Sequence, residues 1–185
     1  NGSTEVASET FTNNGSEDII VASSNGIVLF ENNGNGTFSK KNTIKVPNYG
    51  PRSIEAGDID GDNDQDILVG FITGCTTGKV SWFENDGNGN FGVEQKIVTN
   101  NANNIGKVKE VHLSDLTSDG LPEVIFADGD ANWLENQGNG NFGSKNTVNI
   151  TGGTDVFSSD LDGDNQLDLL SCSKGKDMIV WGKNL

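Results

Sequence analysis

A segment of 11 residues that recurs along the chain is the feature that most constrains its fold. The copies read VLFENNGNGTF at Val28–Phe38, SWFENDGNGNF at Ser81–Phe91 and NWLENQGNGNF at Asn132–Phe142, at intervals of 53 and 51 residues. A shorter copy, MIVWGKNL, covers Met178–Leu185. A regular interval of this length indicates a repeat architecture in which each repeat is one supersecondary unit.

An acidic loop precedes each copy. It reads DIDGDNDQDILV at Asp58–Val69, DLTSDGLPEVIF at Asp115–Phe126 and DLDGDNQLDLLS at Asp160–Ser171, and a divergent version, TFTNNGSEDIIV, covers Thr10–Val21. The loops are offset by 48, 57 and 45 residues. We therefore treat residues 1–185 as a single domain of four units, at about 1–47, 48–105, 106–152 and 153–185.

Each unit predicts four short strands, because β-branched and aromatic residues alternate with clusters of Gly and Asn. In the second unit we expect the strands at Pro51–Gly57, Asp66–Ile72, Lys79–Asn85 and Phe91–Val98. The fourth unit stops before its last strand. Stacking such sheets radially buries both faces of each, which predicts an all-β propeller of four blades. We expect a compact four-bladed unit, and we leave open a larger propeller or an eight-bladed ring of two chains.

Composition narrows the classes of partner. The formal net charge of −15 disfavours nucleic acid and anionic membrane surfaces. No apolar run approaches the length of about 18 residues that a membrane-spanning helix needs. No signal peptide is present at Asn1, so the compartment does not follow from a leader. The two cysteines, Cys75 and Cys172, are compatible with one disulfide or with two free thiols.

The units resemble FG-GAP/VCBS repeats, the β-propeller blades of integrin α-subunit heads and of some fungal and bacterial lectins. The resemblance rests on the D-x-D-G-D-x-x-x-D loop, the W-[FL]-E-N strand and the G-N-G-x-F turn, which together cover almost the whole chain. It implies blades with calcium-binding loops between their first and second strands. Many propellers of this family have more blades than the four found here.

The resemblance also implies which loop positions bind calcium. Positions one, three, five and nine supply side-chain oxygens and position seven supplies a carbonyl, and Ca²⁺ takes about six to eight such oxygen ligands. Two sites are expected, in the second and fourth units, with a structural role. Their ligands would be Asp58, Asp60, Asp62, Asp64 (through its carbonyl) and Asp66, and Asp160, Asp162, Asp164, Gln166 (through its carbonyl) and Asp168.

The other two loops match less well. The third unit has Asp115, Thr117, Asp119 and Glu123 at the side-chain positions, which makes it a weaker third candidate for calcium. At the side-chain positions the first unit has Thr10, Thr12, Asn14 and Asp18, of which Asp18 alone is a carboxylate. We expect that loop to hold its turn through hydrogen bonds between side chains and backbone.

The residues suggest no catalytic centre. The single histidine, His112, shares a strand face with Ser114, whereas Asp115 points to the opposite side, so these three do not form a hydrolase triad. The clustered carboxylates are already assigned to the metal loops. Cys75 and Cys172 lack the spacing of a redox or zinc site. We therefore expect that the protein is not an enzyme.

Repeated aromatic and acidic residues are the candidates for ligand binding. The tryptophans, with Phe30, are either core residues between blades or sugar-stacking residues in the grooves between them. The repeated glutamates either hydrogen-bond their hairpins or form equivalent polar pockets, as multivalent binders use. The ligand candidates are Trp82, Glu84, Trp133, Glu135 and Trp181.

The resemblance implies a secreted, calcium-stabilised binding module, and a lectin-like carbohydrate-binding protein is the first interpretation. A protein-interaction or adhesion module of the integrin-head type, a small-molecule or pigment carrier, and a propeller enzyme such as a polysaccharide lyase remain alternatives. The expected partners are a carbohydrate or glycoconjugate or an extracellular protein, without nucleic acid or membrane insertion. A homo- or hetero-oligomer that completes the propeller is left open.

Overall fold

The computed structural model describes residues 3–46, 50–99, 105–148, 152–173 and 177–183. Within these ranges the chain forms β-strands and connecting turns, and no helix is long and apolar enough to cross a membrane. The strands are β1 (Ser3–Glu9), β2 (Asp18–Ser23), β3 (Gly26–Asn32), β4 (Phe38–Ile44), β5 (Gly50–Gly57), β6 (Asp66–Ile72), β7 (Gly78–Phe83), β8 (Gln95–Thr99), β9 (Glu110–Ser114), β10 (Glu123–Ala127), β11 (Ala131–Leu134), β12 (Asn146–Val148), β13 (Gly153–Ser159), β14 (Asp168–Ser173) and β15 (Met178–Gly182).

The strands form four antiparallel sheets, one for each repeat. Sheet 1 contains β1–β4, sheet 2 β5–β8, sheet 3 β9–β12 and sheet 4 β13–β15, and in each sheet neighbouring strands follow one another in the chain. Sheet 4 has three strands, as its shortened repeat predicted. Residues 149–151, which precede β13, and residues 184–185 lie outside the described ranges. The all-β class and the four repeat units are confirmed.

The sheets pack face to face in chain order. One apolar core lies between sheets 1 and 2, a second between sheets 2 and 3, and a third between sheets 3 and 4. The first strands lie on the inside of this arrangement, with β1 against β5, β5 against β9 and β9 against β13. Because sheet 2 is covered on both faces, the side chains of Asp66–Phe71 on β6 are all buried.

The four sheets do not close on themselves, and this corrects the expectation of a compact, closed four-bladed unit. Across the described ranges, no packing comparable to that between the other first strands joins β13 to β1. Val6 on β1 is 63% exposed and Phe157 on β13 is 59% exposed. The first and last sheets therefore each keep one face uncovered.

The repeated G-N-G turn explains where the strand predictions were wrong. The third strand of sheet 2 ends at Phe83 rather than at Asn85, and the fourth begins at Gln95 rather than at Phe91. Between them the chain forms a hairpin closed by a hydrogen bond from Gly92 N to Glu84 O of 2.8 Å. By contrast, Asp66–Ile72 is found where it was predicted.

A glycine in this turn also lets neighbouring sheets approach closely. A Cβ atom on Gly140 of sheet 3 would lie 2.6 Å from the Trp82 ring of sheet 2. A Cβ on Gly89 of sheet 2 would lie 2.7 Å from Cδ2 of Leu29 in sheet 1. Both glycines also have positive φ, of 69° and 75°. In sheets 2 and 3, the second glycine of the turn is thus a contact point with the preceding sheet.

Candidate functional site

The four acidic loops each have a buried carboxylate at position nine that accepts backbone hydrogen bonds, and we call it the clamp. The loops are numbered in chain order: loop 1 (Thr10–Val21), loop 2 (Asp58–Val69), loop 3 (Asp115–Phe126) and loop 4 (Asp160–Ser171). In loop 2, the Asp66 carboxylate accepts hydrogen bonds from Ile59 N at 3.0 Å and from Asn85 N at 2.9 Å. Burial raises the pKa of Asp66 to about 7, although these two hydrogen bonds act to lower it. The clamp joins the end of the first strand to the end of the third. The equivalent carboxylates in the other three loops are Asp18, Glu123 and Asp168, and each accepts hydrogen bonds from backbone N–H groups.

The exposed part of loop 2 brings three carboxylates together. One oxygen from each of Asp58, Asp60 and Asp62 lies within 4.8 Å of the others. Asp58 also accepts hydrogen bonds from the backbone N–H groups of Gly61 and Asn63, at 2.8 and 3.0 Å. This crowding has an electrostatic cost: desolvation first, and then the negative charge of Asp62, raises the pKa of Asp60. The arrangement offers several hard oxygen atoms around one point.

Loop 4 has a similar group that includes the clamp. Oxygen atoms of Asp160, Asp162 and Asp168 lie within 4.8 Å of one another. The ammonium group of Lys183 contacts Asp162 and lies 3.0 Å from Oδ2 of Asp164. Asp164 has a lowered pKa, chiefly because Gln166 N donates to it and then because of Lys183. A lysine cation therefore lies where this loop has its excess of negative charge.

The other two loops are held by hydrogen bonds. In loop 3, Asp115 accepts hydrogen bonds from Asp119 N and Gly120 N, at 3.1 and 2.9 Å. No group of three metal-ligating side chains forms there among the residues that the structure covers. In loop 1, Ser16 N donates to Oδ1 of Asn14 at 2.8 Å, as predicted for a turn held by side chain and backbone.

The asparagine of the W-x-E-N motif has a role that the sequence did not reveal. Asn85 Nδ2 donates to Phe11 O of sheet 1 at 3.0 Å and to Gln65 O of its own sheet at 3.1 Å. Asn136 repeats this contact one sheet later, donating to Ile59 O at 2.7 Å. Both asparagines are 1% exposed. Each therefore joins its sheet to the loop of the preceding one.

The three tryptophans occupy equivalent strand positions in different environments. Leu29, rather than Phe30, is their counterpart in sheet 1, because it pairs with the second strand in the same register. Trp82 is 2% exposed within the core between sheets 2 and 3, so it belongs to the packing. Trp133 lines a cavity of about 130 Å³ between sheets 3 and 4. Trp181 is 47% exposed on sheet 4.

Two of the repeated glutamates, Glu31 and Glu84, form hydrogen bonds between the third and fourth strands of their own sheets. Glu31 accepts a hydrogen bond from Lys41 Nζ at 3.1 Å, and Glu84 accepts one from Gln95 Nε2 at 3.1 Å. In both cases the partner lies on the fourth strand of the same sheet or at its start. Glu84 and Glu135 are exposed, so both remain accessible at the outer edge of their sheets.

Glu84 also lines a depression at the outer edge of the sheets, which we call the outer groove. The outer groove consists of two adjoining cavities of about 370 and 320 Å³ that share Phe91 and Gly92. Sheet 1 contributes a side wall through β4 and Lys45, and sheet 2 contributes the hairpin. The lining residues are Asn42, Thr43, Ile44, Lys45, Phe83, Glu84, Asn85, Asp86, Asn90, Phe91, Gly92, Val93 and Glu94.

The outer groove places one aromatic ring among several polar groups. Phe91 packs edge-on against Phe11, with ring centroids 5.9 Å apart, so its position is fixed. Asp86 accepts hydrogen bonds from Asn90 Nδ2 and from Asn88 N, and these lower the pKa of Asp86. Hydrogen bonds from its own residues to Asp86 therefore hold the conformation of this hairpin between β7 and β8. An apolar patch with a few convergent polar groups is the usual character of a small-ligand site.

His112 forms a contact other than the one considered from the sequence. Its Nε2 lies 3.2 Å from Oγ of Ser158, and its Nδ1 lies 3.2 Å from Oε1 of Glu55. The Ser158 hydroxyl donates to Ser114 Oγ at 2.7 Å, so its hydrogen points away from the imidazole. These contacts link three first strands, β5, β9 and β13.

Cys75 and Cys172 are both free thiols.

Comparison with solved structures supports the same fold. The chain is similar to a lectin of Agrocybe aegerita, a β-propeller described as specifically recognising non-reducing terminal N-acetylglucosamine, with a TM-score of 0.60 and 21% sequence identity. The similarity covers 91% of this chain and 47% of the lectin, so the chain spans about half the length of that protein. No curated protein matches the sequence.

The family is established by the repeats themselves. The family described as FG-GAP-like repeat matches residues 11–69 and 115–171. These two stretches contain 59 and 57 residues, which together are more than half of the 185 residues of the chain. The first stretch runs from loop 1 into the second strand of sheet 2, and the second runs from loop 3 into the second strand of sheet 4. The chain belongs to the FG-GAP-like repeat family of β-propeller proteins.

Proposed function

We propose that this protein is a secreted, calcium-stabilised carbohydrate-binding module that binds a sugar in the outer groove. The observation that carries the proposal is the groove itself, in which Phe91 lies among exposed polar residues such as Glu84 and Asn90. A sugar ring has apolar faces and a rim of hydroxyl groups. Such a ligand matches an aromatic surface bordered by carboxylate and amide groups.

The net charge and the fold agree with this function. At −15, the chain is poorly suited to anionic partners, whereas a neutral sugar meets no electrostatic barrier. The lectin of Agrocybe aegerita shares the fold and provides a precedent for sugar recognition on it. Fold alone does not determine function, so the proposal rests on the groove. Within the groove, Glu84 supplies hydrogen-bond acceptors and Lys45 a donor.

Calcium is proposed as a structural ion in loops 2 and 4. The residues fit the ion, because carboxylate groups converge in both loops and Ca²⁺ prefers oxygen ligands in flexible geometry. Asp58, Asp60 and Asp62 would hold it in loop 2, with Asp66 and the Asp64 carbonyl as implied by the family pattern. Asp160, Asp162 and Asp168 would hold it in loop 4, with Asp164 and the Gln166 carbonyl. The bound ion would neutralise charges that otherwise repel one another.

A glycan-array profile of the purified protein, followed by calorimetric titration of the best glycan, tests the sugar site. We expect the Glu84→Ala variant to bind that glycan at least about tenfold more weakly, which corresponds to about 1.4 kcal/mol. Glu17→Ala is the matched control, since Glu17 is an exposed carboxylate outside the outer groove. A folded protein that binds no glycan would contradict the proposal, and equal binding by Glu84→Ala would place the sugar elsewhere.

A further inference from the structure

Two sheet faces at the ends of the structure are apolar and uncovered. The N-terminal face belongs to sheet 1, where Val6, Val21 and Val28 pair side by side across three strands and Ile19 pairs with Phe30. The C-terminal face belongs to sheet 4, where the strand pairing aligns two rows of side chains. The C-terminal face consists of one row with Phe157, Leu170 and Trp181 and a second row with Asp155, Cys172 and Ile179, in which Asp155 on the first strand adds a charged group.

Side chains on these two faces are much more exposed than the side chains at equivalent positions between two sheets. Val6 is 63% exposed, whereas its equivalents Ile54, Val111 and Val156 are at most 4% exposed. Ile179 is 77% exposed, whereas its equivalent in sheet 2, Val80, is fully buried. The same strand positions therefore form the core wherever a neighbouring sheet is present.

The turn and loop contacts repeat the same pattern. Gly89 and Gly140 of the second and third turns pack on Leu29 and Trp82 of the preceding sheet, but a Cβ on the equivalent Gly36 would meet nothing within 4 Å. Trp181, the equivalent of Leu29 and Trp82, is 47% exposed. The glycine side of this contact is thus present in sheet 1, and the tryptophan side is present in sheet 4.

The asparagine contact between sheets also has its two partners at opposite ends of the structure, with the donor in sheet 1 and the loop in sheet 4. Asn85 and Asn136 each donate to a loop carbonyl of the preceding sheet. In the described ranges, Nδ2 of the equivalent Asn32 donates only within its own sheet, to Glu17 O at 3.0 Å. At the other end, Leu161 in loop 4 is 47% exposed, whereas its equivalents Phe11 and Ile59 are fully buried under the next sheet.

We propose that the C-terminal face of one copy of this chain docks on the N-terminal face of a second copy. The junction repeats the interface that already occurs between consecutive sheets of the chain, with Trp181 covered by Gly36 of the second copy and the Leu161 carbonyl accepting from its Asn32. Because the two surfaces differ, the contact is heterologous and closes when the rotations complete a ring.

A second copy is the occupant that these observations favour. Both halves of one interface are present on the same chain, so each copy offers a surface that fits the other. Two copies related by a two-fold axis would bring eight sheets together and would leave neither face uncovered.

Light scattering coupled to size-exclusion chromatography, supported by sedimentation velocity, measures the association. The 185-residue chain has a mass of 19.6 kDa, and we expect about twice this value at about 50 µM protein. Ile179→Glu and Val6→Glu each place a charge on one face, and each should give a monomer. Val93→Glu is the matched control, because Val93 is 84% exposed and lies on neither face.

Mixing the two variants tests whether the junction is head to tail. Ile179→Glu keeps an intact N-terminal face and Val6→Glu keeps an intact C-terminal face, so an equimolar mixture should recover dimers through one unaltered junction. Far-ultraviolet circular dichroism confirms that each variant is folded. A wild-type monomer up to about 100 µM would overturn the proposal and indicate another polypeptide as the occupant. Variants that dimerise as the wild type does would overturn it as well.

Thiol alkylation gives a second measurement that does not depend on these substitutions. Cys172 lies on the C-terminal face, and Cys75 is an exposed free thiol in another part of the protein. In the dimer Cys172 should react at least about tenfold more slowly than in the diluted monomer, whereas Cys75 should react at the same rate. A Cys172 rate that does not change with protein concentration would contradict docking on this face.

Discussion

Nδ1 of His112 on β9 lies 3.2 Å from Oε1 of Glu55 on β5, so the only histidine of the chain connects sheet 3 to sheet 2. Its Nε2 contacts Ser158 on β13, and its ring stacks on Phe157 with centroids 5.0 Å apart. One imidazole therefore contacts inner strands of the two adjoining sheets. The first prediction follows from this position.

We expect His112→Ala to lower the free energy of unfolding by about 1–2 kcal/mol, because the Glu55 and Ser158 contacts and the stacking on Phe157 are all lost. Urea titration followed by tryptophan fluorescence measures the change. Lys107→Ala is a suitable control, since Lys107 is exposed and close in sequence. A change below about 0.5 kcal/mol would show that this contact does not stabilise the assembly of sheets.

The second prediction concerns calcium. Calcium at about 100 times its dissociation constant would add about 3 kcal/mol of stability for each loop that it occupies. Asp58→Asn should weaken the loop 2 site. Its amide oxygen can accept from Gly61 N and Asp62 N as Oδ1 of Asp58 does, whereas the hydrogen bond from Asn63 N to Oδ2 is lost. We therefore expect this variant to gain less stability than the wild type when calcium is added, with each protein compared with itself in chelator.

Calorimetric titration and thermal unfolding with and without a chelator measure both effects. Glu17→Gln removes one carboxylate that belongs to no metal loop and should behave as the wild type. A wild-type protein whose unfolding temperature does not respond to calcium would contradict a structural role for the ion.

The third prediction concerns Lys183, whose ammonium group contacts Asp162 and Asp164 in loop 4. A cation in that position competes with calcium for the same oxygens. Lys183→Met should therefore raise the calcium affinity of loop 4 by about three- to tenfold, an effect that should decrease at high salt. Lys107→Met is the control. Equal affinities for the two proteins would show that the lysine moves aside without cost.

The fourth prediction concerns pH. Burial, chiefly, raises the pKa of Glu110 above its ordinary value of 4.5, while the hydroxyl of Ser53 donates to it at 2.6 Å. The folded protein therefore holds this proton more tightly than the unfolded chain does. Stability from this group is present at pH values below 4.5 and is lost as the pH rises through the raised pKa.

Glu110→Gln keeps an acceptor for Ser53 and has no charge to bury. We expect the difference in unfolding free energy between this variant and the wild type to shift in favour of the variant as the pH rises from about 4 to about 7. Denaturant titrations at several pH values measure this difference. Glu17→Gln serves as the comparison, and parallel curves for Glu110→Gln and the wild type would contradict the prediction.

The repeats predicted more of the fold than of the site. The stretch Asp66–Ile72 was identified correctly because its apolar residues stand between two turn signals. The hairpin at 84–94 was misplaced, since only the paired backbone shows that Glu84 O accepts from Gly92 N. Local pattern indicates where strands occur and is less informative about where they end.

Local sequence patterns did not predict the contacts between sheets. Asn85 was visible as a repeated residue, but its partner Phe11 O is 74 residues away. His112 was compared with its neighbours Ser114 and Asp115, whereas its contacts are Glu55 and Ser158, which lie on other sheets. The outer groove likewise exists only because β4 lies beside the next hairpin. Such relationships depend on how the sheets are stacked, which no short segment encodes.

The contacts of Asn85 and Asn136 have a consequence for how such a protein changes in evolution. Each asparagine donates to a loop carbonyl of the preceding sheet, so the second and third repeats each carry the means of their own attachment. Duplication of a whole repeat therefore adds a sheet together with its junction. Deletion of a repeat brings together two surfaces that already fit. In this architecture, blade number can vary between relatives without any new interface having to arise.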